Sequence, residues 1–309
     1  MAKRDQGGDA RSAFITAPDG LKLHVRVYGR HTGDSLPVVC LPGLSRTTAD
    51  FDTLGTALAA DRAQPRAVFA VDYRGRGQSE HDRNPENYNL AVELVDLLAV
   101  LTALEIRAAV FVGSSRGGIL SMLLAAARPA SIAGVVLNDI GPVIEPKGLM
   151  RIKSYVGKLP QPTSHAEGAE ILRRLFDAQF PKLDSDGWLA AAGRTWTERN
   201  GRLVPTYDVR LAKTLQGIDI ERPLPTLWKE FNALAAVPML VIRGANSDIL
   251  SAETVAAMQA RRAATGAIVV PDQGHTPLLA EPDVIRQIAA FATACETSRP
   301  NLVCMGLSE

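Results

Sequence analysis

Cysteine is scarce in this chain. The three cysteines, Cys40, Cys295 and Cys304, lie far apart in the sequence and match no spacing of a disulfide framework or a metal site. This pattern favours a reducing cytoplasm and excludes a disulfide-stapled secreted domain. Cys40 lies within an apolar run, so we expect it to pack in the core rather than react.

Excess charge of either sign is also absent. Lysine and arginine number 34 against 33 acidic residues, which leaves a net charge of +1 and no basic stripe. Nucleic acid and anionic membrane surfaces are therefore disfavoured as partners. Residues 1–11 lack the apolar centre of a signal peptide, and no apolar run reaches the roughly 18 residues that a membrane span needs. The expected partner is a small molecule, and the sequence leaves a homodimer open.

What the chain does contain is an alternation of short apolar strands with amphipathic helices. With 309 residues and 46% hydrophobic content, it predicts one α/β core made of residues 13–142 and 238–296. Residues 143–237, called the insert below, interrupt the alternation with helical segments and no evident strand. The ends, 1–12 and 297–309, are expected to be loosely held.

Local signals mark several elements. A Pro-Asp-Gly turn at 18–20 separates two alternating runs and predicts a hairpin. Asn89, Ser164 and Ser251 each precede an apolar periodic segment and are predicted to cap helices.

The most informative stretch is 110–118, V-F-V-G-S-S-R-G-G, where an apolar strand meets an alanine-rich helix at a glycine turn. A G-x-S-x-G turn between strand and helix is typical of a nucleophile elbow, which makes Ser115 the candidate nucleophile. Such a turn could instead cradle a dinucleotide phosphate, with Asp139 as the ribose-binding acid. The glycines fit G-x-S-x-G-G better than G-x-G-x-x-G, which disfavours that alternative.

Four motifs in order resemble the α/β-hydrolase fold superfamily: L-P-G-L at 41–44, D-Y-R-G-R-G-Q-S at 72–79, G-S-S-R-G-G at 113–118, and R-G-A-N-S-D at 243–248 followed by D-Q-G-H at 272–275. The resemblance implies an α/β fold with a mostly parallel sheet of eight strands, flanking helices and a helical cap after the sixth strand. The insert occupies the position of that cap. The motif containing Asp72, Arg74 and Ser79 is expected to be a structural turn.

A serine needs a base, and the base needs an orienting carboxylate. Of five histidines, His275 follows a late strand at the place that the resemblance implies. Two acids follow strands and could hold it. Asp248 is favoured because the order Ser115, Asp248, His275 matches the family, while Asp139 stays as the alternative.

The resemblance also assigns an oxyanion hole to the backbone amides of Leu44 and Arg116. Many relatives have His-Gly where this chain has Pro42-Gly43, so Pro42 is expected to shape the loop. The side chain of Arg116 is expected to pair with a buried acid such as Asp139, or else to contact a substrate carboxylate.

Together these features predict a serine carboxylesterase or lactonase, with no cofactor and no metal. A C–C bond hydrolase of a dienoate, an enol-lactonase and a non-catalytic small-molecule receptor remain alternatives. All three tryptophans of the chain lie in the insert, which predicts an apolar pocket for short-to-medium acyl chains. Trp188 and Trp228 in the insert, together with Leu250, are predicted to line it.

Overall fold

The computed structural model describes residues 10–33, 35–217 and 224–297. In these residues one sheet contains eight strands in the order β1-β2-β4-β3-β5-β6-β9-β10. The pairs β1–β2 and β2–β4 are antiparallel and the other pairs are parallel, which confirms the predicted fold class. The strands are β1 Arg11–Thr16, β2 Lys22–Tyr28, β3 Val38–Leu41, β4 Val68–Val71, β5 Ala109–Ser114, β6 Ile132–Asn138, β9 Met239–Gly244 and β10 Gly266–Val270.

Helices connect the strands and cover both faces of the sheet. The three predicted caps are confirmed: Asn89 accepts from the Val92 amide, and Ser164 and Ser251 likewise accept from amides three residues on. The helices are α1 Asp52–Ala59, α2 Leu90–Ala103, α3 Arg116–Ala127, α4 Pro146–Tyr155, α5 His165–Phe176, α6 Ser185–Thr195, α7 Trp228–Asn232, α8 Ala252–Arg261 and α9 Pro282–Thr297.

The central strands are buried on both faces. In β5, Phe111 packs into one hydrophobic cluster, while its neighbours Val110 and Val112 pack into another on the opposite face. Parallel strands covered by helices on both sides require such continuous apolar runs. Cys40 is fully buried in the second cluster, as predicted. Because these strands are parallel, one edge of the sheet holds the carboxyl ends of β3, β5, β6, β9 and β10.

The insert contains more than helices. A hairpin of β7 Trp196–Arg199 and β8 Arg202–Pro205 follows α6, so the expectation of an insert without strands is wrong. Trp196 is fully buried against Gly168, where a side chain on the glycine would approach the indole to 3.1 Å. The insert thus has a small core of its own, which includes Trp188.

The predicted loose ends lie mostly outside the described residues. Arg11 and Ser12 belong to β1, and Thr297 ends α9, so the first strand begins before residue 13 and the last helix ends after residue 296. In the described part of the chain, no helix is long and apolar enough to cross a membrane.

Asp208 joins the insert to the core. Its amide donates to the Gly75 carbonyl at 2.7 Å, and its carboxylate accepts from the Tyr88 hydroxyl at 2.6 Å and from Arg210. Burial opposes ionisation, but the bonds from Arg210 and Tyr88 outweigh it and lower the pKa of Asp208 to about 2 from an ordinary 3.8.

We expect Asp208→Asn to destabilise the protein at neutral pH by about 1–3 kcal/mol, since charge-assisted hydrogen bonds are lost. A lowered folded-state pKa contributes stability above the unfolded pKa, and this contribution is lost as pH falls from about 4 to about 2. The difference in denaturant midpoint between wild type and variant should therefore become smaller as the pH falls from about 4 to about 2. A gap independent of pH would contradict the assignment.

Candidate active site

Ser115 sits at the sharp turn between β5 and α3. Its backbone has φ 50° and ψ −113°, a left-handed conformation that a non-glycine residue adopts only when its surroundings hold it there. The Ser115 amide donates to the Asn138 carbonyl at 3.0 Å, which anchors the turn to β6. Glycine is required on both sides of the serine: a Cβ on Gly113 would lie 2.5 Å from the Gly117 backbone, and one on Gly117 would lie 2.1 Å from the Leu41 carbonyl oxygen.

His275 reaches Ser115 from the loop after β10. Its Nε2 lies 2.9 Å from Ser115 Oγ, and its Nδ1 lies 2.8 Å from Asp139 Oδ2. The His275 amide donates to Gln179 Oε1 at 2.9 Å, so a residue of the insert also holds this loop. The imidazole side chain is only 5% exposed.

Asp139 follows β6 in a left-handed conformation with φ 56°. Its fully buried carboxylate accepts from the Gly244 amide at 2.9 Å and the Ser247 hydroxyl at 2.6 Å, in addition to its contact with His275. Both carboxylate oxygens therefore have hydrogen-bond partners, as a buried polar group requires.

The predicted preference for Asp248 as the partner of His275 is wrong in this geometry. Asp248 accepts two bonds from Arg151 of α4, at 2.6 and 2.7 Å. Burial opposes its ionisation, but the Arg151 guanidinium more than compensates and lowers the pKa of Asp248. The contacts explain the difference: the Gly244 amide and Ser247 hydroxyl hold Asp139 beside His275, while Arg151 holds the carboxylate of Asp248.

The predicted pair of Arg116 with Asp139 is also wrong. Arg116 Nε donates to Glu93 Oε2 at 2.6 Å, and Arg76 Nη1 lies 2.9 Å from Glu93 Oε1. Glu93, on α2, is fully buried between the two arginines. Arg76 Nε in turn donates to the Leu44 carbonyl at 2.9 Å, so the cluster reaches the loop after β3.

That loop, which holds Gly43 and Leu44, lies directly over Ser115. A Cβ built on Gly43 would be 3.8 Å from Ser115 Cβ. The Tyr73 hydroxyl donates to the Pro42 carbonyl at 3.2 Å, which fixes the loop from the other side. On the opposite side of Ser115, Arg116 is the first residue of α3, where backbone N–H groups have no acceptor within the helix.

Two cavities meet at Ser115. Both are lined by Leu44, Ser115 and Ile152, and their volumes are about 530 and 500 Å³. The first cavity is lined by residues of the core and of the insert, from Ile144 to Gly217. Its aliphatic side chains include Leu90, Ile119, Ile140, Ile144, Leu149 and Ile249, and its polar ones include Glu86, Asn89, Arg116 and Lys213. The second extends beneath the insert and includes His275, Arg46, Tyr155, Phe176, Phe180, Trp188 and Arg194.

The predicted pocket residues divide accordingly. Trp188 lines the second cavity. Trp228 lines neither and stacks on the Arg261 guanidinium, 3.4 Å from the ring centre. Leu250 is fully buried in the core and lines neither cavity. Within the described ranges, no cluster of three or more histidine, cysteine or acidic side chains could hold a metal ion.

Sequence reasoning missed three polar residues of this site: Gln179, Ser247 and Asn138. Asn138 Nδ2 donates to Ser114 Oγ at 2.8 Å and to the Pro277 carbonyl at 3.0 Å, which links the elbow to the histidine loop. Ser247 lies within a motif that the sequence did indicate, next to the acid that it favoured. Gln179 had no sequence signal, because its role depends on where the insert folds back.

Comparison with known proteins agrees with this geometry. The sequence pattern of the Alpha/beta hydrolase family matches residues 38–288. A crystal structure of an alpha/beta hydrolase from Novosphingobium aromaticivorans is 39% identical, covers 93% of this chain and 99% of its own, and superposes with a TM-score of 0.85.

Two enzymes of stated substrate are also similar. The 3-hydroxybutyrate-oligomer hydrolase of Cupriavidus necator is 31% identical over 92% of this chain and 98% of its own length. The 2-(acetamidomethylene)succinate hydrolase of Mesorhizobium japonicum is 25% identical over 86% of this chain and 91% of its own length.

The close approach at Gly117 generates a stability prediction. Gly117→Ala would push a methyl group into the Leu41 carbonyl, so we expect the free energy of unfolding to fall by about 1–3 kcal/mol or more. Gly193→Ala is the matched control, because Gly193 lies in α6 with no atom within 4 Å of an added Cβ. It should be neutral or stabilising by up to about 1 kcal/mol. Urea unfolding of both variants measures the difference, and equal effects would contradict the tight turn.

Proposed function

Because the chain belongs to the alpha/beta hydrolase family, we propose that it is a serine hydrolase that cleaves carboxylic esters through an acyl-enzyme. The observation that carries the proposal is the continuous chain of contacts from Ser115 Oγ through His275 to Asp139. Assembled contacts of this kind favour an enzyme over a non-catalytic receptor on the same fold.

In the first step Ser115 Oγ attacks the ester carbonyl carbon while His275 Nε2 takes its proton. The Asp139 carboxylate accepts the Nδ1–H of His275, which keeps Nε2 free as the base and stabilises the imidazolium that forms. His275 then gives the proton to the alcohol oxygen as the ester C–O bond breaks. A water, activated in the same way, hydrolyses the acyl-enzyme and restores Ser115.

The negative oxygen of the tetrahedral intermediate needs two donors. We assign them to the backbone amides of Leu44 and Arg116. Arg116 begins α3, so the helix dipole adds to the attraction of its amide for an anion. The Glu93 cluster holds both segments, since Arg76 binds the Leu44 carbonyl and the Arg116 side chain binds Glu93 directly.

The position of His275 indicates which cavity binds the acyl half of the substrate and which binds the alcohol half. The group that protonates the leaving alcohol must face that alcohol, and His275 lines the second cavity but not the first. The alcohol half therefore belongs in the second cavity and the acyl chain in the first. The largely aliphatic walls of the first cavity suit an uncharged acyl chain.

For the substrate class we favour esters of short hydroxy acids, including their linear oligomers. The support is the similarity to a 3-hydroxybutyrate-oligomer hydrolase over nearly the full length of both chains. An oligoester presents an acyl group and an alcohol group on either side of each scissile bond, which fits two cavities that meet at Ser115.

The choice of acid is tested by Asp139→Asn against Asp248→Asn, with Ser115→Ala as the inactive reference. We expect Ser115→Ala and Asp139→Asn each to lower kcat on p-nitrophenyl butyrate by on the order of a thousandfold or more. Asp248→Asn should retain most activity and instead lose about 1–3 kcal/mol of stability, because Arg151 loses its partner. An inactive Asp248 variant beside an active Asp139 variant would reverse the assignment.

The acyl assignment predicts a chain-length profile. At about 0.8 kcal/mol per buried methylene, kcat/KM should rise up to a few-fold per carbon and peak at roughly four to eight carbons. Ile144→Phe narrows the first cavity and should shift the optimum to shorter acyl groups. Trp228→Ala is the control and should leave the profile unchanged, since Trp228 lines neither cavity. A flat profile, or best activity on a dienoate, would overturn the assignment.

A further inference from the structure

Two arginines and Asp50 form a cluster on the wall of the second cavity. Arg46 makes a bidentate pair with Asp50, with Nε and Nη2 at 2.7 and 2.6 Å from its oxygens. Arg194 Nε lies 3.4 Å from the same carboxylate. Each of the three side chains is between 24 and 32% exposed, so the group lies at a cavity wall and is open to a ligand.

This cluster carries one positive charge in excess, because two guanidinium groups share one carboxylate. Arg46 also reaches Thr195 Oγ1 with Nη1 at 3.3 Å, so all three of its nitrogens are engaged. Arg194 is bound only through the long contact of its Nε, and among the described residues no hydrogen bond uses its two terminal nitrogens. Burial lowers the pKa of Arg194, which is consistent with a charge that its neighbours only partly compensate.

The other acids of this cavity already have partners. Asp52 accepts a hydrogen bond from the Tyr28 hydroxyl and pairs with Arg26 at 3.3 Å. Glu281 accepts from Gln273 Nε2 at 3.1 Å. Within the described residues neither acid forms an ion pair or hydrogen bond with Arg194, although the charge of Asp52 acts on it at longer range. The positive charge of Arg194 is therefore only partly balanced.

The cluster is close to the reacting atoms. A Cβ built on Gly43 would lie 3.3 Å from Arg46 Cγ and 3.8 Å from Ser115 Cβ, so the Arg46 side chain and Ser115 flank the same glycine. His275 and both arginines line one continuous space. A charged group a few bonds from the leaving oxygen can therefore enter the same cavity.

We propose that Arg194, supported by Arg46, binds a carboxylate on the alcohol half of the substrate. This inference rests on the proposed function. The leaving group is then a hydroxycarboxylate, and the enzyme cleaves the ester bond next to the free carboxyl end of a hydroxy-acid oligomer. Ser115 Oγ bonds to the acyl carbon, the C–O bond to the hydroxycarboxylate breaks, and the serine proton passes through His275 to the departing oxygen.

A matched pair of substrates tests the proposal: 3-(butyryloxy)butanoate, which carries the carboxylate, and 3-(butyryloxy)butanamide, which is neutral and nearly the same shape. Release of butyrate is measured for both with wild type, Arg194→Gln and Arg173→Gln. Arg173 is an exposed arginine of α5 that pairs with Glu170 and serves as the matched control.

Wild type should prefer the carboxylate in kcat/KM by about tenfold or more, and Arg194→Gln should lower the carboxylate-to-amide ratio by about tenfold to a hundredfold. Arg173→Gln should leave the ratio at the wild-type value. An unchanged ratio in Arg194→Gln, or a wild-type preference for the amide, would overturn the subsite.

If Arg194→Gln does not fold, inhibition of the wild-type enzyme tests the carboxylate subsite instead. 3-Hydroxybutyrate should inhibit hydrolysis of p-nitrophenyl butyrate more strongly than 3-hydroxybutanamide, and equal inhibition would refute the subsite. A wild-type protein inactive on every ester would refute the proposed function instead. In that case, binding of 3-hydroxybutyrate to the wild-type protein, measured by calorimetry, tests the subsite alone. Absence of binding would overturn the proposed subsite.

Discussion

The site depends most on the buried carboxylate of Asp139. A carboxylate with no exposure to solvent is costly unless hydrogen-bond partners surround it, and here they come from two segments: Gly244 and Ser247 at the end of β9 and in the turn after it, and His275 after β10. The carboxylate thus holds two loops to the end of β6. It also fixes the ring of His275 at hydrogen-bond distance from Ser115, which a free loop could not maintain.

A second buried charge acts on the opposite side of Ser115. Glu93 lies between Arg76 and Arg116, and Arg76 extends to the Leu44 carbonyl. A buried ion cluster contributes little net stability, but it holds its members in one geometry, because any displacement leaves a charge unpaired in the interior. We infer that this rigidity suits the loop of Leu44 to the proposed oxyanion hole.

The insert completes the site in two ways. Gln179 holds the His275 loop, and Arg151 holds Asp248, so the insert is tied to two loops at the edge of the sheet. It also encloses the second cavity, where Arg46, Asp50 and Arg194 form a charged wall, whereas the first cavity is mostly aliphatic and its polar lining residues Glu86, Asn89 and Lys213 are exposed. The two cavities therefore differ in chemistry although they share Ser115, and a substrate with unlike halves has one favoured orientation.

The sequence by itself determined the local features: the eight strands of the main sheet and their order along the chain, the helix caps at Asn89, Ser164 and Ser251, and the glycine turn that holds Ser115. Each depends on residues within a few positions of one another. The sequence could not choose between Asp139 and Asp248, because both follow strands. Only the direction of each turn, and the position of Arg151 in the folded insert, decide which carboxylate contacts His275. Tertiary structure likewise decided three other features: the hairpin that starts at Trp196, the contact of Gln179 with the His275 loop, and the position of Trp228 outside both cavities. Distances between side chains remote in sequence are set by how the elements pack, and local pattern does not contain them.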